Sequence, residues 1–223
     1  MRKIFLMTIG WFGMQTAFSQ SVTKNVGDFT GVKVFDKIRV ELVASSKNEV
    51  EIVGSDTDNV QIINKNGELK IRMTTVKTLQ GDGIKVVVYY KDLQGVEANE
   101  GTVVTNLDKI KSSSLTLNAK EGASINVGIE AQKLNIQIVT GGIVEVSGEA
   151  DTQDVLINTG AKYYAKDLKT KQTTVTINAG GEAEVFVSKQ VDAKIRAGGT
   201  IDIYGNPDTV NKKTSLGGRI TVH

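Results

Sequence analysis

Residues 175–181 have the sequence VTINAGG, and variants of this segment return along the second half of the chain. Each variant has apolar residues at alternating positions, such as Val175 and Ile177, followed by a corner that is often two glycines. The variants are VEANEG at 96–101, LTLNAKEG at 115–122, IQIVTGG at 136–142, VLINTGA at 155–161, AKIRAGG at 193–199 and TSLGG at 214–218. Successive segments end 18 to 21 residues apart, which indicates a repeat of about 20 residues.

The repeat predicts an all-β fold. Alternation of apolar and polar residues indicates a strand with one buried face, and it resumes after each corner, for example at Ile125 and Val127. A unit of this length is too short for two parallel strands joined by a helix. It fits one coil of a parallel β-helix, whose coils pair with their neighbours, and we predict regular coils over residues 91–223. The corner glycines allow positive φ and close packing of one corner on the next.

Residues 29–90 are strand-like but less regular. We predict strands at 32–34, 38–42, 50–52, 60–62, 69–73 and 85–90. Asn66 and Gly67 are typical of a two-residue hairpin turn. These strands are either irregular first coils or a capping sheet that covers the end of the stack. No linker separates them from the repeats, so residues 20–223 are predicted to form one domain.

The first nineteen residues are predicted to be a secretory signal peptide. Two basic residues precede an apolar stretch at residues 4–18, and Ala17 and Ser19 are the small residues of a cleavage site before Gln20. No later stretch is apolar enough to span a bilayer. The protein is therefore expected to be exported, either to the periplasm or to the cell surface and beyond.

The composition excludes several classes of function. Without the signal peptide the chain has 25 basic and 25 acidic residues, whereas a nucleic-acid partner would favour a basic stripe. The chain has no cysteine, which excludes thiol catalysis and disulfide stabilisation. With a single histidine as well, a zinc site is not expected, and we predict no cofactor.

No catalytic residue is predicted either. The only histidine is His223, the last residue, and we expect it to be frayed. Because the chain has no other histidine and no cysteine, the common Ser-His-Asp and Cys-His triads are excluded. Paired carboxylates could hydrolyse a glycosidic bond, and the candidates are Asp151 with Asp154 and Glu182 with Glu184. We interpret both pairs as parts of solvated faces.

Two polar patterns have both a structural and a functional interpretation. Residues 56–59 (DTDN) weakly resemble a calcium loop but lack its glycine and its final glutamate, so we predict a turn. Asn118, Asn158 and Asn178 each follow a buried aliphatic residue. We predict that they form a hydrogen-bonded ladder between coils, the alternative being a row of ligand-binding groups.

Two pairs of adjacent tyrosines are candidates for partner contacts. The pairs are Tyr89 with Tyr90 and Tyr163 with Tyr164. On a strand one member of each pair must face outward. An outward tyrosine can stack on a sugar or anchor a protein partner, although it is also a common strand former.

Several segments resemble one known family. They are FTGVKV at 29–34, IRV at 38–40, VEI at 50–52, GELKI at 67–71, the repeated INAGG-like units and IYGNP at 203–207. In this order they resemble the auto-transporter adhesin head GIN domain family of Bacteroidetes, domain of unknown function 2807. The resemblance implies a right-handed, single-stranded β-helix, similar in shape to pectin lyases but without their catalytic residues. It also implies a role in cell adhesion.

The sequence therefore predicts a secreted, non-catalytic binding module, an adhesin of the periplasm or cell surface. Its partner would be a glycan or a cell-surface protein, because a stack of coils presents long flat faces. Two alternatives stay open. One is a polysaccharide-active lyase or hydrolase, which rests on fold analogy. The other is an envelope scaffold that assembles with copies of itself.

Overall fold

A computed structural model describes residues 20–223, so the predicted signal peptide at 1–19 lies outside the described residues. In this part of the chain seventeen strands form one continuous sheet. The sheet winds into a β-solenoid of about 7 turns with coils about 19 residues apart. Two 3-10 turns, Thr57–Asn59 and Thr75–Lys77, interrupt it. The prediction of an all-β parallel β-helix is confirmed.

The strands of the first half are short. They are β1 Gln20–Asn25, β2 Gly31–Val34, β3 Arg39–Ala44, β4 Glu49–Gly54, β5 Val60–Lys65, β6 Glu68–Met73, β7 Lys85–Tyr90, β8 Gly95–Ala98 and β9 Val103–Asn106. Most strands of the second half are longer. They are β10 Ile110–Ala119, β11 Ser124–Ile138, β12 Ile143–Ile157, β13 Lys162–Ala179, β14 Glu182–Ala197, β15 Thr200–Tyr204, β16 Thr209–Leu216 and β17 Arg219–Val222.

The long strands bend, so that each contributes to two flat sides of the coil. Face A consists of the second halves of β10–β14, with β8 before them and β16 after them. Face B consists of the first halves of β11–β14, with β9 before them and β15 and β17 after them. Pairing is parallel and in register, so equivalent apolar residues of successive coils stack into buried rows. One such row is Leu117, Ile136, Val155, Val175 and Ala193.

The two glycines of a corner have different roles. At Gly141 φ is +70° and the space beside the Cα is empty, so glycine is favoured by the backbone angle alone. At Gly142 a Cβ would lie 2.6 Å from the carbonyl oxygen of Ala119 in the preceding coil. The first glycine therefore makes the turn, and the second lets two corners pack together.

The N-terminal region contains both coils and a cap. The β2–β3 coil lies between the β6–β7 coil and the β8–β9 coil, so the first coil along the chain is not at the end of the stack. Antiparallel strands cover the outermost coil, with β5 on β6, β4 on β7, and β1 on β4. This cap protects the edge of the sheet. The predicted hairpin turn joins β5 to β6, with φ of 55° at Asn66 and 78° at Gly67.

A buried carboxylate fastens the loop between β6 and β7. Asp36 lies in the corner between β2 and β3 with φ of 65°. Its Oδ2 accepts the backbone N–H of Met73 at 2.9 Å, and its Oδ1 accepts that of Leu79 at 2.8 Å. Asp36 thereby satisfies two backbone donors that no strand partner reaches.

The last coil has a different inward side. Ala193 and Ile195 of β14 pair with Lys212 and Thr214 of β16, and both of these polar residues are exposed. The aliphatic rows that contain Ala193 and Ile195 therefore end at β14, while Val210 continues the row of Val191. A charged residue at an inward position of an edge strand opposes the addition of another strand.

Candidate functional site

Face A carries a shallow groove lined by polar side chains. Two concavities of about 180 and 330 Å³ share Asp154, and together they cross the coils of β10 to β14. We call this surface the polar groove. Its main lining residues are Asn118, Asn135, Gln137, Asp154, Gln172 and Thr174.

The regular register of the coils explains why these side chains line up. Asn118 pairs with Gln137 of the next coil, and Asn135 pairs with Asp154, which in turn pairs with Thr174. Residues that pair in parallel strands point to the same side of the sheet, and neighbouring coils are ~4.8 Å apart. The groove is therefore a regular array of amide, hydroxyl and carboxylate groups.

The polar atoms of the groove are free to bind a partner. Within residues 20–223, the side chains of Asn118, Asn135, Gln137, Gln172 and Thr174 make no hydrogen bond to another group, and Asp154 makes no ion pair. Other lining residues do make side-chain hydrogen bonds, as from Gln190 Nε2 to Asp192 Oδ2 at 2.9 Å at the rim and from the inward-facing Gln153 to Thr173. A ligand in the groove would not have to break hydrogen bonds within the protein.

The outward polar groups of face B are more often paired with each other. Lys162 lies 3.4 Å from Glu182, and on β3 and β7, which continue this face beyond β9, Lys85 lies 3.0 Å from Glu41. Asn126 Nδ2 donates to Glu145 Oε2 at 3.1 Å. These contacts link neighbouring coils, whereas the main lining residues of the polar groove make no such contacts with each other.

A buried polar network lies beneath the groove. Gln153 and Thr173 point inward, at positions where the neighbouring coils have Leu134 and Val191. The hydroxyl of Tyr163 donates to Gln153 Oε1 at 2.8 Å, and Gln153 Nε2 donates to Thr173 Oγ1 at 2.9 Å. Burial raises the pKa of Tyr163, so its hydroxyl keeps the proton that it donates. The network fixes the backbone that carries Asp154 and Thr174.

The carboxylate pairs considered from the sequence lie on the surface. Glu182 and Glu184 both point outward from β14, and Glu182 accepts a hydrogen bond from the hydroxyl of Tyr164 at 3.3 Å. Asp151 is exposed and pairs with Lys171 at 2.6 Å. Asp154 lines the polar groove instead. Among the described residues, no three Asp, Glu or His side chains are grouped closely enough to hold a metal ion.

The prediction that His223 is frayed is wrong. Its Nε2 lies 2.8 Å from Asp202 Oδ1, and its ring stacks on Tyr204 with a centroid distance of 4.6 Å. Lys166 Nζ lies 4.4 Å from the centroid of the same tyrosine. These contacts fasten the last coil to those before it. The rings face one another along the stack, which leaves little ring surface for a sugar.

The remaining candidates have structural roles. Tyr90 and Tyr163 are buried while Tyr89 and Tyr164 face outward, as predicted. The hydroxyl of Tyr89 lies 3.4 Å from Glu51 Oε2, so this outward tyrosine is engaged within the protein. Residues 56–59 form the predicted turn, in which the N–H of Asn59 donates to the carbonyl of Asp56 at 3.0 Å.

The asparagine ladder exists only in part. Asn178 Nδ2 donates to Asn158 Oδ1 at 2.5 Å, as predicted. Asn118 is not in this row, because it pairs with Gln137, which in turn pairs with Leu156 of the following coil. The residue before it, Leu117, stacks with Ile136 and Val155 and not with Ile157, so Asn118 lies two positions before the row of Asn158 and lines the polar groove instead.

A charged cluster lies on face A before the groove begins. Glu97 is 18% exposed and lies 3.1 Å from Lys120 and 3.4 Å from Lys33. Burial alone would raise the pKa of Glu97, but the hydrogen bond and charge of Lys120, together with Lys33, lower it below its usual value.

We expect this cluster to contribute to stability at neutral pH and not in acid. A carboxylate with a lowered pKa in the folded state stabilises the protein above its unfolded pKa of about 4.3. That contribution is lost as the pH falls through the lower folded value. Glu97→Gln should therefore lose less stability than the unchanged protein between about pH 6 and about pH 3, measured by urea unfolding. Glu149→Gln, at an exposed site, is the control and should keep the full loss.

Sequence reasoning missed the groove residues. Gln137, Gln172 and Thr174 have the same alternating positions as any solvated strand face. The available signal was the frequency of amide and hydroxyl residues at the outward positions of these units, as in Asn135 with Gln137 and Thr174 with Thr176. Whether that face is concave depends on how the coils stack, which the pattern does not contain.

The comparison with protein families identifies the chain. Residues 28–207 match the family described as "Putative auto-transporter adhesin, head GIN domain". The chain belongs to this family. The head GIN match begins before β2 and ends after β15, so it includes all coils that form the polar groove. The chain matches no curated protein.

Solved structures share the head GIN fold. A protein named as a putative adhesin from Bacteroides fragilis NCTC 9343 has a TM-score of 0.86 at 18% identity, covering 93% of this chain and 98% of its own. One with the same description from Parabacteroides distasonis ATCC 8503 has a TM-score of 0.71 at 20% identity, covering 92% and 96%. A third, named as a putative lipid binding protein from that species, has a TM-score of 0.68 at 14% identity, covering 92% and 97%. At these identities the likeness shows the fold alone. No helix within residues 20–223 is long and apolar enough to cross a membrane.

Proposed function

We propose that this protein is an exported, non-catalytic binding module of the adhesin type, acting in the periplasm or at the cell surface. The observation that supports this function best is the polar groove, in which the amide, hydroxyl and carboxylate groups of its main lining residues are spread over the four coils of β10 to β13 and have no hydrogen-bond partner within residues 20–223. Such an array suits an extended partner that contacts several coils at once. Family membership agrees with adhesion.

The enzyme alternative lacks a suitable group of residues. A glycosidase needs two carboxylates facing one another across the substrate. Asp154 is the carboxylate at the centre of the groove, while Asp192 at its rim accepts hydrogen bonds from Gln190 and Asn211. The surroundings of the groove therefore favour holding a ligand over cleaving it.

The last coil opposes one form of the scaffold alternative, assembly through the open ends of the stack, and does not bear on assembly through the side faces. Assembly through stacked ends would place Lys212 against the apolar interior of a second copy. Burying an unpaired ammonium group is costly. The charged edge of the last coil is more consistent with a monomer whose partner binds on a side face than with copies stacked end to end.

The test measures binding and cleavage together. The protein, expressed from the full sequence and purified, is incubated with immobilised polysaccharides and with envelope proteins, and both bound protein and newly released sugar ends are measured. We expect binding without cleavage. Asn135→Ala combined with Gln137→Ala should weaken binding about ten- to thirty-fold, since each lost hydrogen bond contributes about 1 kcal/mol.

The control is on the same strand. Ser124→Ala combined with Asn126→Ala removes two outward polar side chains of β11 on face B and should leave binding unchanged. Release of sugar ends would contradict the non-catalytic function. Equal loss of binding in both double variants would show that the polar groove is not the site.

A further inference from the structure

We propose that the polar groove binds a neutral polysaccharide whose chain runs along the axis of the β-helix, from coil to coil. This inference rests on the proposed function and names the partner of the same site. It follows from the chemistry of the lining, its charge, the direction of the groove and the state of the backbone beneath it.

The lining has the hydrogen-bonding character of a sugar surface. Asn118, Asn135, Gln137 and Gln172 each present a primary amide, which donates through nitrogen and accepts through oxygen. Neighbouring hydroxyls of a sugar likewise donate and accept. A side-chain amide can therefore bind two adjacent hydroxyls at once, and the partly exposed Leu156 offers a small apolar contact for the ring carbons.

The charge of the groove argues against an acidic polymer. Asp154 and Asp192 are carboxylates, and they are balanced by the ammonium groups of Lys133 and of Lys194, which lies in register with Thr176 at the β14 end. An acidic polymer would need a surplus of cationic side chains to pair with its charges, and the described lining does not provide one. A neutral polymer has no such requirement.

The direction of the groove favours a chain along the helix axis. It crosses the coils of β10 to β14, a distance of ~19 Å at ~4.8 Å per coil. One sugar unit of an extended polysaccharide is about as long as one coil step. The groove thus accommodates about five units, with at least one polar side chain from each coil.

The backbone beneath the groove disfavours a peptide. Extended peptides bind sheets by adding to an edge, through main-chain hydrogen bonds. Here the main chains of β11, β12, β13 and β14 are already paired with one another. A folded protein partner would favour aromatic or arginine anchors, and the residues lining the groove include neither.

The experiment compares neutral with acidic polymers and short with long chains. The purified full chain is tested by calorimetry against glucan, mannan and galactan, and against alginate and polygalacturonate. Oligosaccharides of about two to eight units are then prepared from the polymer that binds best. We expect neutral binding only, with affinity rising at least about ten-fold up to about five units and then levelling off, because the contacts are many and individually weak.

Variants test the direction of the chain. Thr116→Ala with Asn118→Ala, at the β10 end of the groove, should weaken binding of five units about ten-fold and of two units hardly at all, since a short chain has other coils to occupy. The face B double variant Ser124→Ala with Asn126→Ala should behave like the unchanged protein. Loss that is equal for short and long chains would overturn the axial direction.

Other outcomes separate this inference from the proposed function. Stronger binding of alginate or polygalacturonate, or affinity independent of chain length, would overturn the neutral axial polysaccharide. An envelope protein that binds through the groove in place of every sugar would also overturn it, while the binding function would stand. Failure of all sugars and all envelope proteins to bind at the groove would overturn both.

Discussion

Replacing Gly148 with alanine should destabilise the protein by about 4 kcal/mol, the largest effect that we expect from a single added methyl group. Gly148 has φ of +110°, which side chains rarely adopt, and it lies directly beside Ile129 of the preceding coil. A Cβ there would be 2.1 Å from the carbonyl oxygen of Ile129. That oxygen belongs to the backbone of a paired strand, so it cannot move without breaking the pairing of β11 with β12.

A second glycine provides the matched control. Gly122 also has positive φ, of +72°, but apart from its chain neighbours no atom lies within 4 Å of the position that an added Cβ would take. Gly122→Ala should cost only about 1 kcal/mol, the penalty of the backbone angle by itself. Urea unfolding of both variants measures the difference. Equal costs would mean that the close contact at Gly148 relaxes freely and that coil spacing there is not fixed.

These glycines also show what the sequence could predict. Each coil buries the same positions and turns at the same corner, so apolar alternation and glycine recur at a fixed interval. That recurrence is a local property, and it predicted the parallel coils and the glycine corners. The hairpin at Asn66 and Gly67 followed from another local signal, the preference of the Asn-Gly pair for a two-residue turn. The outward position of Glu182 and Glu184 followed from the same alternation.

The order of the first coils could not be predicted in this way. Placing β2 and β3 between two later coils depends on pairing between residues distant in sequence, such as Val32 with Leu69 and with Val96. All three strands have similar alternation, so nothing local distinguishes their neighbours. The sequence left open whether this region is coil or cap, and the structure contains both.

Register errors explain the missed groove. Matching each asparagine by the aliphatic residue before it places Asn118 beside Asn158, but Leu117 stacks with Ile136 and Val155, and Asn118 pairs with Gln137. The burial of Gln153 was missed as well, because a polar residue at an inward strand position is not predicted to belong to a hydrophobic core. Its burial depends on Tyr163, ten residues away, which supplies the hydrogen bond.

Gln153→Ala should destabilise the protein by about 3 kcal/mol. The variant leaves a cavity among buried side chains, and it leaves the hydroxyl of Tyr163 without its acceptor in the interior. The same network supports the groove floor, so binding should weaken along with stability. The urea unfolding midpoint and the affinity for the best ligand measure the two effects separately.

A double replacement shows whether the core requires a polar residue at position 153 or only a partner for the hydroxyl of Tyr163. Gln153→Leu alone leaves the Tyr163 hydroxyl unpaired and should cost about 2 kcal/mol, whereas adding Tyr163→Phe should recover most of that loss. Leucine suits the site because Leu134 occupies the equivalent position one coil earlier, and Thr173 keeps its contact with Thr170 at 2.8 Å. Recovery of stability without recovery of binding would mean that the network serves to hold the groove in shape. If the double variant stays as unstable as Gln153→Leu, the pairing of these two side chains is not what the core requires.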